Sequence, residues 1–469
     1  MQKLFRNIKV DAYKAKDGSE YAEIIRKDEV KTFFLGSEDF KMEIKSTYYE
    51  ERRTSMKEGE LNELMEYLHI KAYRNRLDYD LEIRVAEVDG GICYNLDADT
   101  STSIFLSKGK CEEVWTPNRV FKPIPTFQNQ VYPNLKADIK KLPTLIGEYF
   151  NLKSEEDIKL LTVYIVACFG GLSIDIPMLI CFGEKGSSKS TFQKKLKRII
   201  DPEKMESISI PKSSEDLKLR LNNSYLLILD NLSSISKSNS DLFATAISGT
   251  TTTKRKLYTD TQEVVLNLHS IIAINGIDIV AKEADLLDRS IMFQLDRIDG
   301  SRIRTEKEIW NEFNKVLPDI LGASLNAMAK ASNDKREVKL KKMVRLADWM
   351  ERAVKVARVF GWEDESMAEI ILGNRKKVDS IALKDNVVVS CLLEVMEEVE
   401  EYEDSVSNLF NDIIYAAKRN SIHMSLLPKA PNGLSKKLNE VRSNLAENYG
   451  LHYAIKNIGH YRQITIWRK

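Results

Sequence analysis

The chain has 469 residues, enough for roughly two to four domains. Hydrophobic residues make up 43% and charged residues 30%, which is ordinary for a soluble globular protein. The formal net charge is only +1, so any nucleic-acid partner has to be argued from local clusters. Cys93, Cys111, Cys168, Cys181 and Cys391 are scattered, odd in number and free of CxxC spacing, as expected of reduced, buried thiols in a cytosolic protein. The five histidines form no HExxH or cysteine-paired cluster, so they are read as structural and no zinc site is expected. The N-terminus lacks the apolar core of a signal peptide. The longest apolar run, Leu160 to Leu172, falls short of the roughly 18 residues of a membrane span, and a cytoplasmic protein with no membrane partner is expected.

Residues 1 to about 130 mix strand-like and helical runs and are read as an α+β domain of unknown role. "LEIRVAEVDGGICYNL" predicts two strands around a Gly-Gly turn, and "MKEGELNELMEYLHIKAYRN" has helical spacing. "PIPTFQNQVYPN", Pro123 to Asn134, is read as a linker for its three prolines and polar filler. Residues 135–300 alternate helix and strand. Ser154-x-x-Asp157 caps a helix, and "PMLICF", "YLLILD", "HSIIAIN" and "SIMFQL" read as buried strands, so a parallel sheet in an α/β domain is predicted.

The first strand is followed by "GEKGSSKST", Gly183, Glu184, Lys185, Gly186, Ser187, Ser188, Lys189, Ser190 and Thr191, and then by a helix. Strand, glycine loop and helix in that order read as a phosphate-binding loop, in which Lys189 would reach the terminal phosphates of ATP and the Ser190 hydroxyl would hold Mg²⁺; the competing reading is a chance Gly/Ser/Lys-rich turn. Ser188 stands where the strict pattern has glycine. Asp230 ends the second strand, at the sheet edge where ligands bind, and is read as the second Mg²⁺ residue. Asn231 follows it where many such enzymes carry a glutamate base. Either the base lies elsewhere, or Asn231 only positions the water and turnover is slow. Asn275 ends the third strand and could touch the γ-phosphate or the attacking water. Arg289 precedes the fourth strand. It is either an ion-pair partner of Asp285 or Asp288, or a finger inserted into the ATP site of a neighbouring subunit in a ring.

Residues 303 to about 375 read as helical. The acidic run Glu394 to Asp404 reads as a solvated helix face or spacer. From Asn411 to Lys469 there are ten Lys/Arg and three Asp/Glu, a balance of +7. Two helical runs followed by two strands joined through Gly459 give the order of a winged helix.

As an ordered set, these motifs resemble AAA+ ATPases of the branch that holds MCM proteins and superfamily-3 helicases. "LILDNLSSIS", "KRKLYTD", "AINGID" and "ADLLDRSI" are most similar to the replication initiator helicases of staphylococcal mobile elements, of the cassette Cch and pathogenicity-island Rep types. MCM proteins also carry a small non-glycine residue before the loop lysine; Asn231 departs from their Asp-Glu pair. The resemblance implies an AAA+ core with a helical lid over 135–375, a winged helix over 380–469, a hexameric ring, and ATP-dependent unwinding of DNA. The alternative is a DNA-binding ATP switch, an initiator or loader that does not unwind.

The resemblance also bears on "TTTTKRKLYTDTQEVVLNLH". By its residues this is an exposed hairpin with basic side chains. In this branch a hairpin here grips DNA in the channel, with Lys254, Arg255 and Lys256 on phosphates and Tyr258 stacking or packing. Arg345 is the candidate sensor-2 arginine, or else a partner of Asp348. On the winged helix, Lys436, Lys437, Arg442 and Arg462 would face duplex DNA; a protein-contact role is the competing reading.

Overall fold

The structure is a computed structural model that describes residues 4–469 apart from 28, 98–100, 117–118, 256–262, 278, 282, 385, 398 and 460. It is a mixed α/β fold with one four-stranded parallel sheet and several antiparallel ones. The chain opens with an antiparallel sheet of Lys9–Lys14, Glu20–Arg26 and Glu29–Phe34, backed by helices Glu38–Arg52 and Glu58–Arg74. Its own core gathers Ile24, Phe40, Ile44, Leu61, Leu64 and Leu68. A second meander, Val85–Val88, Gly91–Asp97, Thr102–Ser107 and Lys110–Trp115, follows, with the expected turn at Gly90. Its inward residues Val85, Tyr94, Leu96 and Ile104 share one apolar core with the parallel sheet, so that core runs across residue 130.

The stretch read as a linker is a packed strap. Gln130 is buried and donates to Tyr94 Oη at 3.0 Å and to the carbonyls of Arg198 and Ile199 at 3.0 and 3.1 Å. The Arg84 guanidinium lies 3.6 Å from the centre of the Phe127 ring and donates to Asp201 Oδ1 at 2.9 Å. Prolines stiffen the connection, and Gln130 ties it to the core while Gln128, Asn129 and Tyr132 stay exposed.

The parallel sheet consists of Met178–Phe182, Leu226–Leu232, Ile271–Gly276 and Ser290–Gln294, in the spatial order fourth, first, third, second. Each coincides with a run read from the sequence as a buried strand. Helix Glu155–Ala167 begins at Ser154, whose hydroxyl accepts from Asp157 N at 3.0 Å. Beyond the sheet come helices Glu306–Ser332, Ala347–Val359 and Asp364–Lys384.

The last part has a separate core around Val389, Leu409, Ile413, Leu434, Leu438 and Ile464. Its order is helix Val387–Val395, strand Glu401–Ser405, helices Val406–Arg419, Pro431–Glu440 and Arg442–Tyr449, then strands Leu451–Ile458 and Tyr461–Arg468. Two readings change here. The acidic run supplies an edge strand, Glu401–Ser405, that pairs with the last strand. The long basic helical run breaks at Val441 into two helices.

Candidate active site

The loop between Phe182 and Lys189 is shaped by backbone that side chains resist. Gly183 sits at φ 149, where an added Cβ would lie 2.0 Å from the Leu295 carbonyl oxygen. Gly186 is at φ 85. Ser188 adopts φ 59, ψ 30, the left-handed conformation that glycine takes without strain. The missing glycine is thus a serine in a glycine conformation. The loop is pinned by Gly183 N to the Ile277 carbonyl at 3.1 Å, Ile298 N to the Gly186 carbonyl at 3.2 Å, and Asn151 Nδ2 to the carbonyls of Ser187 and Asp296 at 3.2 and 2.7 Å.

Helix Lys189–Ile200 starts directly from this loop. Lys189 Nζ donates to the Gly183 and Glu184 carbonyls at 2.6 and 2.8 Å and to Ser187 Oγ at 3.2 Å. Partial burial draws its ammonium below the ordinary range, with the Asp230 carboxylate opposing. Glu184 and Lys185 are exposed; Thr191, on the first turn, is half-buried. A cation folded back onto loop carbonyls at a helix N-terminus is a fitting place for an oxyanion.

Ser190 Oγ donates to Asp230 Oδ1 at 3.0 Å, which brings the first-turn hydroxyl to the carboxylate at the end of the second strand. Two hard oxygen donors of this kind suit Mg²⁺. The strand is bulged at this point: Leu229 pairs with Ile274 and Leu232 with Gly276, so Asp230 and Asn231 together oppose Asn275. Asn231 has φ 58 and an exposed side chain.

Asn275 does not present a free amide to the loop. It is 1% exposed, and its Nδ2 donates to Asp230 Oδ1 at 2.7 Å and to Gln193 Oε1 at 2.6 Å, while its Oδ1 accepts from Asn231 N at 2.8 Å. Its geometry fits a residue that orients Asp230 and the bulge rather than one that reaches a phosphate. Gln193 was not singled out in the sequence, although it lies four residues after Lys189 on the same helix face. Asn151 carried no signal at all.

Arg289 lies at the other end of the sheet. Ser290 pairs with Met178 and Gln294 with Phe182, so roughly 13 Å of strand separates Arg289 from the loop of its own chain. Its Nε is 3.4 Å from Asp285 Oδ2, and it hydrogen-bonds Ser248 at the foot of the hairpin. Arg345 converges on the same corner, bonding Asp285 and lying 3.8 Å from Asp288. The expected partner Asp348 is not used: helix Ala347–Val359 begins after Arg345, so helical i,i+3 spacing does not apply.

The basic hairpin is formed by Thr250–Arg255 and Glu263–Leu268. Lys254 and Arg255 end its first strand; Lys256 and Tyr258 lie outside the described residues. In the C-terminal part, Lys436 and Lys437 are exposed on helix Pro431–Glu440, and Lys437 pairs with Glu440 at 2.7 Å. Arg462 donates to Asn432 Oδ1 at 3.2 Å, which sets the last hairpin beside that helix. Arg442 donates to the Tyr453 carbonyl at 3.1 Å and lies over its ring, so it is partly committed to the fold. No helix among the described residues is long and apolar enough to cross a membrane.

Residues 144–363 match the family model described as actinomycete integrative conjugative element replication protein. No curated protein matches the chain. Among solved structures it is similar to the A form of the apo C-terminal region of NrS-1, at 12% identity and a TM-score of 0.42, covering 98% of this chain and 96% of that one. The apo NrS-1 C-terminal region 305–718 gives a TM-score of 0.40 with the same identity and coverage.

Proposed function

We propose that this chain is an ATP-driven DNA helicase and replication initiator of the AAA+ type, working as a hexameric ring. The observation that carries the reading is the 3.0 Å contact between Ser190 and Asp230 at the loop edge of a parallel sheet, beside a glycine loop that holds Lys189. The match over 144–363 to a family of replication proteins supports a role in DNA replication. In this reading residues 1–130 are an accessory domain, 135–375 the ATPase with its helical lid, and 380–469 a winged helix. The helix, strand, helix, helix, two-strand order of the last part, with its first strand paired to its last, supports the winged helix.

Lys189 would leave the Gly183 and Glu184 carbonyls for the terminal phosphates of ATP, and Ser190 and Asp230 would hold Mg²⁺. Mg²⁺, when bound, neutralises phosphate charge and polarises the phosphoryl group. Asn275 keeps the Asp230 carboxylate turned toward Ser190. Arg289, too far to serve its own loop, would reach the nucleotide of the next subunit, with Arg345 beside it. Its bond to Ser248 would couple that contact to the hairpin of Lys254, Arg255, Lys256 and Tyr258 on DNA. Lys436, Lys437 and Arg462 would meet duplex DNA.

A second reading, a DNA-binding ATP switch without unwinding, is favoured by one feature: the exposed side chain at the bulge is the amide of Asn231, which cannot take a proton from water. Strand displacement on forked DNA decides between them. ATP-dependent unwinding that is lost in Lys189→Ala is expected. ATP hydrolysis by the wild type without unwinding would leave the switch standing and end the helicase reading.

A further inference from the structure

We propose that Gln193 is a positioning residue of the nucleotide site, which fixes the Asn275 amide and through it Asp230 and the Asn231 bulge; the inference rests on the nucleotide reading above. Gln193 is fully buried on helix Lys189–Ile200, one turn beyond Ser190. A side chain placed there cannot touch nucleotide, so any influence passes through what it holds. Its Oε1 accepts from Asn275 Nδ2 at 2.6 Å, and its own Nε2 is buried with no partner among the described residues. A buried amide donor left unpaired costs stability. The arrangement is nevertheless forced, because turning the Gln193 amide over would set its NH₂ against the NH₂ of Asn275.

The orientation of Asn275 follows from three contacts. One amide hydrogen goes to Asp230 Oδ1, the other to Gln193 Oε1, and the carbonyl accepts from Asn231 N. Reversed, the amide would put oxygen against a carboxylate and against the Gln193 carbonyl, and NH₂ against a backbone N–H. Gln193 supplies the contact from the far side, on the helix that carries Lys189 and Ser190. The chain Gln193–Asn275–Asp230–Ser190 closes on that one helix, so the Asp230 carboxylate is held in register with the Ser190 hydroxyl.

Removing the acceptor should loosen Asp230 while leaving the loop intact. Gln193→Met keeps the volume and deletes the acceptor; Gln193→Glu keeps an acceptor oxygen. Full-length wild type and both variants are compared by titration with a fluorescent ATP analogue, with and without Mg²⁺, and by steady-state hydrolysis from pH 6 to 9. Outer partners of metal ligands, the place Asn275 takes here, are typically worth about 10–100-fold; Gln193 acts one contact further out, so the low end applies to it. For Gln193→Met we expect Mg²⁺-free nucleotide affinity within about two-fold of wild type, but a rise in half-saturating Mg²⁺ and a fall in kcat of about ten-fold or more. Gln193→Glu should keep most activity at low pH and lose it as its buried carboxyl ionises near Asp230, a limb the wild type lacks. That limb tests the inference even if Gln193→Met does not fold. Unchanged Mg²⁺ dependence and kcat in a folded Gln193→Met, or a wild-type pH profile in Gln193→Glu, overturns it alone. A wild type that binds no Mg·ATP overturns the nucleotide reading and this inference with it.

Discussion

The helix that begins at Lys189 ends in a buried cluster of charge, and Asp201→Asn is the substitution that tests how it is held. Arg84 is 0% exposed and Lys197 2%. Asp201 accepts from Arg84 Nε at 2.9 Å, Lys197 Nζ at 2.9 Å and Leu226 N at 3.0 Å, and Lys197 also reaches Glu203 Oε1 at 2.6 Å. Burial alone would raise Asp201, but Lys197 and Arg84 outweigh it and hold its carboxyl well below the usual range. Burial pushes Glu203 up to about 7; Lys197 opposes this, and the Asp201 charge reinforces it. Loss of one member of such a buried group costs about 3–5 kcal/mol. The pH dependence is the sharper signature. A carboxyl raised in the folded state binds its proton there and not in the unfolded chain, so wild-type stability falls as pH rises from the ordinary glutamate range toward 7. A shift of this size is worth up to about 3 kcal/mol. In Asp201→Asn the negative neighbour is gone and Glu203 ionises at lower pH to pair Lys197, so its slope flattens. The cost of the substitution is therefore largest near pH 5 and smallest near pH 8. Urea unfolding of both proteins at pH 5, 6, 7 and 8 measures this, since their difference cancels groups common to both. Parallel stability curves, or a cost that grows with pH, would mean that Glu203 does not titrate against Asp201 in the folded protein.

Ser188→Gly should raise the thermal midpoint and preserve ATP binding, by relieving a left-handed serine worth about 1 kcal/mol, whereas Ser188→Val should lower it; differential scanning calorimetry reads both. Arg289→Ala should bind ATP normally but hydrolyse it poorly, and mixing it with Lys189→Ala subunits should restore about a quarter of the wild-type rate if neighbours in a ring complement at random. No recovery on mixing would argue against a finger acting between subunits. Replacing Lys436 and Lys437 together with alanine should weaken duplex DNA binding and reduce the salt slope by about 0.9 for each lost phosphate contact, as followed by fluorescence anisotropy from 50 to 200 mM salt.

Runs whose residues face one environment were legible in the sequence. "PMLICF" and the "IIAI" of the third strand are apolar throughout because their strands are covered on both faces, and Ser154 announces its helix through a local cap. Elements decided by distant partners were not. Glu401–Ser405 looks like a solvated acidic run because its charges point outward from an edge strand, a common means of discouraging edge pairing. The strap at 123–134 hid its packing for the same reason: Gln130 finds its partners 36 to 69 residues away. At the site, Lys189, Ser190 and Asp230 could be named from motif and strand order. The engagement of Asn275 by Gln193 required the helix and third strand to be side by side. The pairing of Arg345 with Asp285, 60 residues apart, is equally invisible to spacing.

The two residues that depart from the expected motifs share a physical property. Ser188 and Asn231 both sit at positive φ, at 59° and 58°, and they flank the Ser190–Asp230 contact from the loop and from the strand. Each conformation costs of order 1 kcal/mol or more and persists only when the surroundings hold it. For Ser188 the holding groups are Asn151 and the Phe192 N–H, which bond the carbonyls of Ser187 and Ser188. For Asn231 it is the Asn275 carbonyl. Without the bulge, alternation would turn Asp230 and Asn231 to opposite faces and return Leu232 to a different register. With it, Asp230 faces Ser190, Leu232 stays in the core, and the Asn231 side chain is put out at the sheet edge. The departure at Asn231 is therefore more than a lost carboxylate. A glutamate placed at Asn231 would need the same left-handed backbone, which asparagine tolerates better than most residues. Asn231→Glu should thus be less stable than wild type, and if it nonetheless hydrolyses ATP faster than wild type, the amide is what limits turnover; if it is stable and no faster, the base lies elsewhere.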